Sequence, residues 1–521
     1  MSKVALIILD GFGISRVQQG NAILSAKTPY LDRIYQKFPK ALLNASSQEV
    51  GLNWGEVGNS EVGHTNIGLG RIVLQDLPQI DKSIRNGAIE SKNTIVEIKK
   101  TLAKNKSNLH LMGIFSDGAV HGHIDHMISF IQMFRNSPSL EKIYLHLFAD
   151  GRDCAEKSIE KYIKIINSYL DDKVIIASLS GRFYAMDRDK NYDRLKLAYE
   201  AIFSASPRKF ANISEAVKDS YERKETDEFI TPCSFVQEVP NLDEDVFVFL
   251  NYRADRAIQL ARAFVDQKFE DFDRRGEAKN FYTLTTYDDN LTAKVIFSNI
   301  ELNNPETNPL SNPLTKIISD NGLSQFHIAE TEKYAHVTYF FAGGEKNPFQ
   351  KQENMLIESA KVKSYDLMPQ MRAQQISDEV ILAADKGFDF IVANYANGDM
   401  VGHSGSMEAA VVAIEHLDNC LNQSVTKLLE TDYDVFITSD HGNCDEMIDP
   451  KTKRVSKEHS LNPVPFIYVS KNSSGNYISK AEFYNSQPIG ILADIAPTVL
   501  ADLNIEPSPE MTGLNLKESL N

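Results

Sequence analysis

The stretch V-A-L-I-I-L-D-G-F-G, residues 4–13, joins a run of apolar residues directly to an aspartate. The run from Val4 to Leu9 predicts a buried β-strand, which places Asp10 at the carboxyl end of that strand. In open α/β sheets this is the edge where ligands bind. The same order of apolar run and aspartate occurs twice near the end of the chain, so we expect one sheet edge to carry several carboxylates.

The two later motifs also contain histidines. N-G-D-M-V-G-H at 397–403 follows the apolar run 388–395, and S-D-H-G-N at 439–443 follows the run 434–438. Aspartate and histidine without an obligatory cysteine suit a divalent ion such as Mn²⁺, Zn²⁺, Co²⁺ or Mg²⁺. The motifs therefore predict two metal ions and metal-assisted chemistry on an anionic substrate. The expected carboxylates are Asp10, Asp399 and Asp440.

Each histidine motif is a weak indication when it is taken alone. Asp399 and His403 are four residues apart and share a face if the segment is helical, but such pairs are also common on helix surfaces. Asp440 and His441 are adjacent and would more easily bind different ions. His459 taken alone is more often an exposed or a core histidine than a metal ligand. The combination is stronger, because carboxylates at three strand ends are hard to explain in an apolar core.

Composition limits the class of protein. A chain of 521 residues is too long for one hydrophobic core, so two domains are expected. The net charge of −16 disfavours nucleic acid and anionic membranes as partners, and any anion site must be a local basic pocket. The short apolar run before Asp10 predicts neither a signal peptide nor a membrane helix. Four scattered cysteines favour a reducing cytoplasm over a disulfide framework.

A second series of strand-like runs lies between residues 108 and 256. These runs precede Ser116, Asp150, Ser180 and Asn251. The segment 158–170 has apolar residues at helical spacing and begins with Ser158, a candidate N-cap. The middle block therefore predicts a strand–helix domain of its own.

The expected borders of this middle block are rich in turn-forming residues. They are Q-D-L-P-Q at 75–79 and a Pro- and Asn-rich segment at 303–313. The prediction is a discontinuous metal-binding domain, interrupted by an inserted substrate-binding domain. The predicted ranges are 1–75 with 308–521 for the first domain and 76–307 for the second.

The glycine-rich segment 55–71 contains Ser60. Glycines let a backbone approach a phosphate closely and help to expose a small side chain on a tight turn. A serine hydroxyl becomes a good nucleophile only when a base or a metal lowers its pKa, and no Ser/His/Asp triad pattern is visible. Activation of Ser60 by a metal fits best. A glycine-rich loop with an incidental serine is the alternative.

Arginines follow three of the middle strands, in D-G-R-D at 150–153, S-G-R-F-Y-A-M-D-R-D at 180–189 and N-Y-R-A-D-R at 251–256. Their guanidinium groups can bind carboxylate or phosphate in bidentate fashion. Any single arginine, such as Arg188 or Arg256, could instead pair with a nearby aspartate. Three strand ends favour a shared anion pocket, with substrate bound between the two domains.

These motifs together resemble the cofactor-independent phosphoglycerate mutases of the alkaline phosphatase superfamily. The likeness runs from residue 4 to E-M-T-G at 510–513 and includes G-N-S-E-V-G-H and A-E-T-E-K-Y-A-H-V-T in family order. It implies an α/β fold in which an alkaline-phosphatase-like, mainly parallel sheet between helices is interrupted by a second α/β domain. It also implies interconversion of 3-phosphoglycerate and 2-phosphoglycerate through a phosphoserine, without 2,3-bisphosphoglycerate.

The resemblance assigns roles to individual residues. Ser60 accepts the phosphoryl group, Asp153 shuttles protons, and Lys333 stabilises charge. The ligands of one divalent ion fall on Asp10, Ser60, Asp440 and His441. Those of the other fall on Asp399, His403 and His459. Substrate contacts fall on His121, Arg152, Asp153, Arg182, Arg188, Arg253, Arg256 and Lys333. Mn²⁺ is the expected ion, with Mg²⁺, Co²⁺ and Zn²⁺ as alternatives.

Other functions fit these motifs less well. A metal-dependent phosphomonoesterase or a phosphopentomutase-like enzyme could use the same scaffold, but the arginine motifs favour an enzyme that retains glycerate. The histidine-dependent mutase type is disfavoured, since no R-H-G occurs. An inactive binding homologue would be expected to lose Ser60 or a ligand. The expected protein is a cytoplasmic monomer that acts on a small molecule. Departures from the family pattern include Cys154, Gly398 and Cys444.

Overall fold

The computed structural model describes residues 2–298, 312–450, 452–473 and 477–520. The chain divides into two compact units, Met1–Pro78 with Asn304–Asn521, and Gln79–Asn303. Each unit contains a mainly parallel sheet with helices packed on it, which confirms the expected fold class. The border expected at 303–313 lies outside the described residues except for its last two positions.

The strands in chain order are β1 Lys3–Leu9, β2 Lys40–Asn44, β3 Leu109–Ile114, β4 Ile143–Ala149, β5 Val174–Gly181, β6 Cys233–Ser234, β7 Val246–Phe249, β8 Phe281–Thr285, β9 Lys294–Phe297, β10 Gln325–Glu330, β11 Gln352–Ile357, β12 Phe390–Tyr395, β13 Tyr433–Thr438, β14 Val464–Val469 and β15 Gly490–Ile491. The α-helices of the first unit are Ala22–Ser25, Pro29–Lys37, Ser60–Leu69, Leu314–Asp320, Thr331–Ala335, Ala373–Lys386, Asn397–Gly402, Met407–Glu430, Lys480–Asn485 and Ile495–Asp502. Those of the second are Asn93–Asn105, Ile124–Phe134, Ile159–Ile166, Arg182–Ala185, Tyr192–Ile202, Ile213–Glu222 and Ile258–Val265, and Asp76–Arg85 crosses the border.

The sheet of the first unit has the strand order β11-β10-β12-β1-β13-β14-β2-β15 among the described residues. β1 lies between β12 and β13 and is parallel to both. Leu9 pairs with Tyr395 at one edge, so the segments that follow these three strands leave the sheet side by side. The predicted neighbourhood of three strand ends is confirmed.

Burial on both faces explains why β1 is apolar at successive positions. Ala5, Ile7 and Leu9 pack in a cluster with the helices Ala373–Lys386 and Met407–Glu430. Val4, Leu6 and Ile8 pack on the opposite face, in a cluster that includes residues of the helix Ile495–Asp502. A parallel strand covered on both faces shows a continuous apolar run, because alternate side chains enter different cores.

The second unit has the strand order β6-β5-β4-β3-β7-β8-β9. Among the described strands of this sheet, only the β5–β6 pair is antiparallel. The four predicted runs form β3, β4, β5 and β7. The predicted helix at 158–170 forms as Ile159–Ile166, followed by a 3₁₀ turn Asn167–Tyr169.

Ser158 is the N-cap residue of this helix, as the sequence predicted. The Ser158 side chain makes no capping hydrogen bond. The Asp227 carboxylate instead accepts from the backbone N–H groups of Ser158 at 2.7 Å and Ile159 at 2.8 Å. A carboxylate at a helix N-terminus is favoured over a hydroxyl by the helix dipole. Within the described part of the chain no helix combines the length and apolarity needed to cross a membrane.

Candidate active site

Ser60 is the first residue of the helix Ser60–Leu69 and is buried. The helix begins there because the Asn59 side chain accepts a hydrogen bond from the Val62 N–H at 3.0 Å. The Ser60 hydroxyl lies 3.3 Å from Asp10 Oδ1 and 3.0 Å from His441 Nε2. The first turn of a helix thus presents this hydroxyl to the edge of the sheet.

Glycines around Ser60 allow close packing of backbone segments. A Cβ at Gly63 would lie 2.6 Å from the Asp440 carbonyl oxygen, and a Cβ at Gly68 would lie 2.0 Å from that of Phe341. Neither distance is possible for a real side chain, so both positions require glycine. Gly63 therefore lets the Ser60 helix pack against Asp440, and Gly68 lets it pack against Phe341. This packing role differs from the phosphate contact expected from the sequence.

Lys333 extends a buried ammonium group into the same place from the helix Thr331–Ala335, directly after β10. Its Nζ donates to Ser60 Oγ and to Asp399 Oδ2, each at 2.6 Å, and lies 2.7 Å from Asp10 Oδ1. Burial alone would lower the pKa of Lys333, but the carboxylates of Asp10 and Asp399 raise it above its usual value. Lys333 therefore contributes a positive charge to this cluster of carboxylates.

The first group of possible metal ligands surrounds Asp10 and Asp440, and both residues are fully buried. Burial and the neighbouring Asp440 raise the pKa of Asp10 to about 7. Asp440 Oδ2 has no hydrogen-bond partner among the described residues. Buried carboxylates this close together require a compensating cation. The donor set fits a divalent metal ion.

The second group consists of Asp399, His403 and His459. The two Nε2 atoms lie 3.1 Å from each other, and each lies 3.1 Å from Asp399 Oδ1. The Nδ1 atoms face the carbonyl oxygens of Lys457 at 2.6 Å and Gly58 at 2.7 Å. This arrangement leaves the Nε2 lone pairs directed at the carboxylate, as histidines held by carbonyl groups present them to metals.

The same group also attracts protons. Asp399 raises the pKa of His403. Burial alone would lower the pKa of His459, but Asp399 raises it above its usual value. Protons and divalent cations compete for such nitrogen atoms, so a metal ion that binds here must displace the protons. Both groups of residues fit divalent metal binding.

Sequence reasoning missed two residues that hold this centre together. His64 Nδ1 lies 2.8 Å from the Ser60 carbonyl oxygen. The Asn394 side-chain amide lies 3.0 Å from His64 Nε2 and donates to Asp10 Oδ2 at 2.8 Å. His64 follows Ser60 by one helical turn within G-N-S-E-V-G-H, a spacing that could have indicated it. Asn394 lies inside a strand, and no local pattern marks it.

Two departures from the family pattern are neighbours in space. A Cβ at Gly398 would lie 3.3 Å from Cys444 Sγ and 2.6 Å from the Asp10 carbonyl oxygen. The Cys444 thiol donates to the Gly11 carbonyl oxygen at 3.2 Å. The thiol is fully buried, and burial raises its pKa well above the usual value. The Cys444 side chain thus packs beside Gly398.

In the second unit, Arg182 lies at the end of β5 with its side chain only 3% exposed. Its Nη1 donates to Asp150 Oδ1 at 2.6 Å and also to Asp153 Oδ2. Asp150 in turn accepts from the backbone N–H groups of Arg152 and Asp153. The expected D-G-R-D motif is therefore a tight loop organised by Asp150, and the positive charge of Arg182 is already compensated.

Three other basic side chains meet at Asp255. Arg188 Nη1 lies 3.4 Å from Asp255 Oδ2, and Arg253 Nε lies 3.9 Å from Asp255 Oδ1. His121 Nδ1 lies 3.5 Å from the same Oδ1. Burial and the Arg182 charge lower the pKa of His121 to about 4, so its ring is neutral near pH 7.

The last two arginines complete this group. Arg152 Nη1 pairs with Glu228 Oε1 at 3.4 Å. Arg256 donates to the Met186 carbonyl oxygen and forms no ion pair within the described residues. Burial and the charges of Arg188, Arg182 and Arg152 lower the pKa of Arg256. The three arginine motifs therefore converge, although Arg188 also pairs with an aspartate, as the alternative interpretation allowed.

Comparison with known proteins agrees with this geometry. A model of the Metalloenzyme superfamily matches residues 2–507. A 2,3-bisphosphoglycerate-independent phosphoglycerate mutase from Clostridioides difficile is 44% identical over 523 residues, which cover 98% of this chain and 98% of the relative. The chain belongs to this mutase family. A mutase of the same name from Clostridium botulinum is 43% identical, covering 99% of this chain and 100% of the relative.

A solved structure agrees with the family assignment. Phosphoglycerate mutase from Leishmania mexicana, studied at low cobalt concentration, aligns with a TM-score of 0.59 and 26% identity. The alignment covers 98% of this chain and 97% of the other. The family and the enzyme class expected from the motifs are confirmed.

Proposed function

We propose that this protein interconverts 3-phosphoglycerate and 2-phosphoglycerate through a phosphoserine at Ser60, without 2,3-bisphosphoglycerate. The observation that carries the proposal is the convergence of Lys333 Nζ, His441 Nε2 and Asp10 Oδ1 on the Ser60 hydroxyl. A cation, buried ligands and a serine at a helix N-terminus, all on one sheet edge, are the parts that phosphoryl transfer needs. Membership of the mutase family supports phosphoglycerate as the substrate.

Two divalent ions belong to the proposal. Mn²⁺ is the proposed identity from the resemblance to the family, and the mixed carboxylate and imidazole donors also suit Co²⁺ and Zn²⁺. One ion would be held by Asp10, Ser60, Asp440 and His441. The other would be held by Asp399, His403 and His459. When bound, these ions supply positive charge that lowers the pKa of the serine hydroxyl and balances the phosphate oxygens.

The transfer itself needs one bond to form and one to break. Before the transfer, the hydroxyl proton of Ser60 passes to solvent. Oγ then bonds to phosphorus as an alkoxide, while the bond from phosphorus to the glycerate oxygen breaks, and the same alkoxide is released at the end of the cycle. The glycerate oxygen keeps the electron pair and takes a proton from Asp153. Asp153 then removes the proton from the other glycerate hydroxyl, which attacks the phosphoserine and releases Ser60 Oγ. Lys333 stays protonated and balances the charge on the phosphoryl oxygens.

The second unit would hold the glycerate during this exchange. The proposed substrate contacts are His121, Arg152, Asp153, Arg182, Arg188, Arg253, Arg256 and Lys333. Arg188, Arg182 and Arg152 lie close enough to Arg256 to add to the effect of burial in lowering its pKa, which supports an anion site. We assign metal binding to residues 1–75 and 308–521 and substrate binding to residues 76–307.

An assay of metal-stripped protein tests the proposal. Conversion of 3-phosphoglycerate would be followed with coupled enolase after separate addition of Mn²⁺, Mg²⁺, Co²⁺ or Zn²⁺, with and without 2,3-bisphosphoglycerate. We expect Mn²⁺ to restore the most activity and the bisphosphate to have no effect. Release of inorganic phosphate in place of 2-phosphoglycerate would favour the phosphomonoesterase alternative and refute the mutase.

The setting of the enzyme is also a proposal. We infer a cytoplasmic monomer that binds neither nucleic acid nor membranes, on the basis of the net charge of −16 and four free cysteines in the described residues. Light scattering during size-exclusion chromatography would measure the mass. A mass near twice 58.5 kDa would replace the monomer with a dimer.

A further inference from the structure

Two kinds of arginine–aspartate contact occur within the arginine group of the second unit. Arg182 is buried, and it binds the carboxylates of Asp150 and Asp153 directly. Arg188 and Arg253 are about half exposed, with side-chain exposures of 51% and 54%. The guanidinium group of Arg182 is therefore buried in an ion pair, whereas those of Arg188 and Arg253 are open to solvent.

Asp255 is the carboxylate that the two exposed arginines share. Its Oδ2 faces Arg188 at 3.4 Å and its Oδ1 faces Arg253 at 3.9 Å. These separations exceed the 2.6 Å between Arg182 and Asp150, so the contacts are loose. Asp255 follows Arg253 by two residues but reaches Arg188 across 67 positions of the chain. One aspartate therefore partly compensates two cations in the centre of the group.

Loose compensation has a consequence for an anion that binds there. A carboxylate or phosphate that approaches Arg188 and Arg253 would take over donors that Asp255 now occupies, and it would also meet the Asp255 charge at short range. Arg182 differs from these two arginines, because Asp150 and Asp153 hold its buried guanidinium group at short range. The negative charge of Asp255 thus makes the binding of an anion less favourable.

We infer that Asp255 is a resident counter-anion that the anionic substrate displaces, and that it determines how selective the site is for strongly charged ligands. This inference rests on the proposed substrate-binding role of the second unit. A substrate with a phosphate and a carboxylate carries enough charge to displace Asp255. Smaller anions such as sulfate make fewer contacts and are excluded more effectively.

The kinetic test compares Asp255→Asn with Asp172→Asn. The substitution at 255 keeps the shape of the side chain and removes its charge. Asp172 is exposed near the amino end of β5, so its variant has the same net charge without touching the arginines. We expect the KM for 3-phosphoglycerate to fall about three- to tenfold in Asp255→Asn, the range for removing one partly exposed charge beside a bound anion, with a smaller change in kcat.

The control variant should match the original protein in both constants. An unchanged or higher KM in Asp255→Asn would show that Asp255 orients the arginines and would overturn the inference. An equal fall of KM in Asp172→Asn would also overturn it, because the effect would then come from net charge alone.

Sulfate protection provides a readout that does not depend on catalysis. An anion that binds the folded state raises the unfolding temperature as its occupancy increases. We expect Asp255→Asn to reach half of its maximal stabilisation at a several-fold lower sulfate concentration than the original protein or Asp172→Asn. Equal sulfate midpoints in all three proteins would refute the counter-anion. If protection shifts as expected but no protein converts 3-phosphoglycerate, the proposed function fails and the inference stands.

Discussion

The Ser60 hydroxyl contacts three kinds of side chain: an ammonium group, a carboxylate and an imidazole. Lys333 donates a hydrogen bond to the hydroxyl and brings positive charge, while the Asp10 carboxylate accepts a hydrogen bond from the hydroxyl. His441 has its pKa lowered to about 4 by burial, so it remains neutral at physiological pH. A neutral imidazole and a permanent cation beside one serine suit a nucleophile whose charge is balanced in advance.

Ser60→Ala is expected to abolish mutase activity and leave the fold intact, because the change removes one atom from a helix terminus. Thr65→Ala on the same helix is the matched control, since the exposed Thr65 hydroxyl donates to the Glu61 carbonyl oxygen. Coupled assays and unfolding temperatures of both variants decide the prediction. Phosphopeptide mapping after rapid quench should locate phosphate on Ser60, and normal turnover of Ser60→Ala would exclude the covalent intermediate.

Asn394→Leu is expected to weaken metal binding by about 10- to 100-fold, the usual cost of losing a partner behind a metal ligand. The substitution keeps the approximate size of the side chain but removes the amide that donates to Asp10 Oδ2. Titration of metal-stripped protein with Mn²⁺ measures the change. Asn419→Leu, on an exposed helix surface, should bind Mn²⁺ as the original protein does. Equal affinity in both variants would show that Asp10 needs no such support.

Two helices of this protein have N-termini that are capped by carboxylates from distant segments. The helix Pro29–Lys37 has no capping hydrogen bond from the Thr28 side chain. Asp418, from the helix Met407–Glu430, accepts from the Tyr30 N–H at 2.9 Å and the Leu31 N–H at 2.8 Å. Asp227 has the same function for the helix Ile159–Ile166. Such caps fasten one element to another and also satisfy free backbone donors.

Asp418→Ala is expected to lower the free energy of unfolding by about 2 kcal/mol, because two buried N–H groups lose their acceptor. Asp385→Ala is the control on another helix. Its carboxylate is 52% exposed and pairs with Lys427, so the loss should be below about 0.5 kcal/mol. Urea unfolding of both variants measures the difference. Equal losses would mean that the Asp418 cap contributes no more than a surface ion pair.

Across the whole molecule, buried titratable groups are not confined to the proposed site. In the second unit, His110 Nε2 lies 3.3 Å from Asp245, and His110 Nδ1 lies 2.9 Å from His146 Nε2. His146 Nδ1 lies 2.8 Å from Ser178 Oγ. Burial lowers the pKa of both histidines, and that of His146 is well below its usual value. This chain of polar groups crosses three strands inside the sheet layer.

Acid is expected to destabilise the protein through His146. The unfolded chain binds a proton at this histidine below about pH 6.5, whereas the folded unit does not, so stability present above that pH is lost as pH falls. The loss reaches at most about 1.4 kcal/mol per pH unit for one histidine. His146→Gln should be less stable than the original protein at pH 7.5, and the difference should narrow at pH 5.5. Urea unfolding at both values measures it, and a constant difference would contradict the prediction.

The sequence by itself was sufficient to predict the strands and the carboxylates at their ends. A parallel strand covered on both faces must be apolar at consecutive positions, so β1, β12 and β13 are visible as local runs. Asp10, Asp399 and Asp440 then follow by chain adjacency alone. The motifs around Ser60 and the arginines were also sufficient to identify the family.

Only the tertiary structure decided which partners meet across long stretches of chain. Asn394 joins Asp10 to His64, Asp418 caps a helix almost four hundred residues away, and Asp255 is shared between two arginine motifs. Periodicity and spacing describe neighbours within a turn or a strand, and they carry no information on these distances. The contacts arise when whole elements pack, because burial then forces each polar group to find a partner from whichever segment lies beside it.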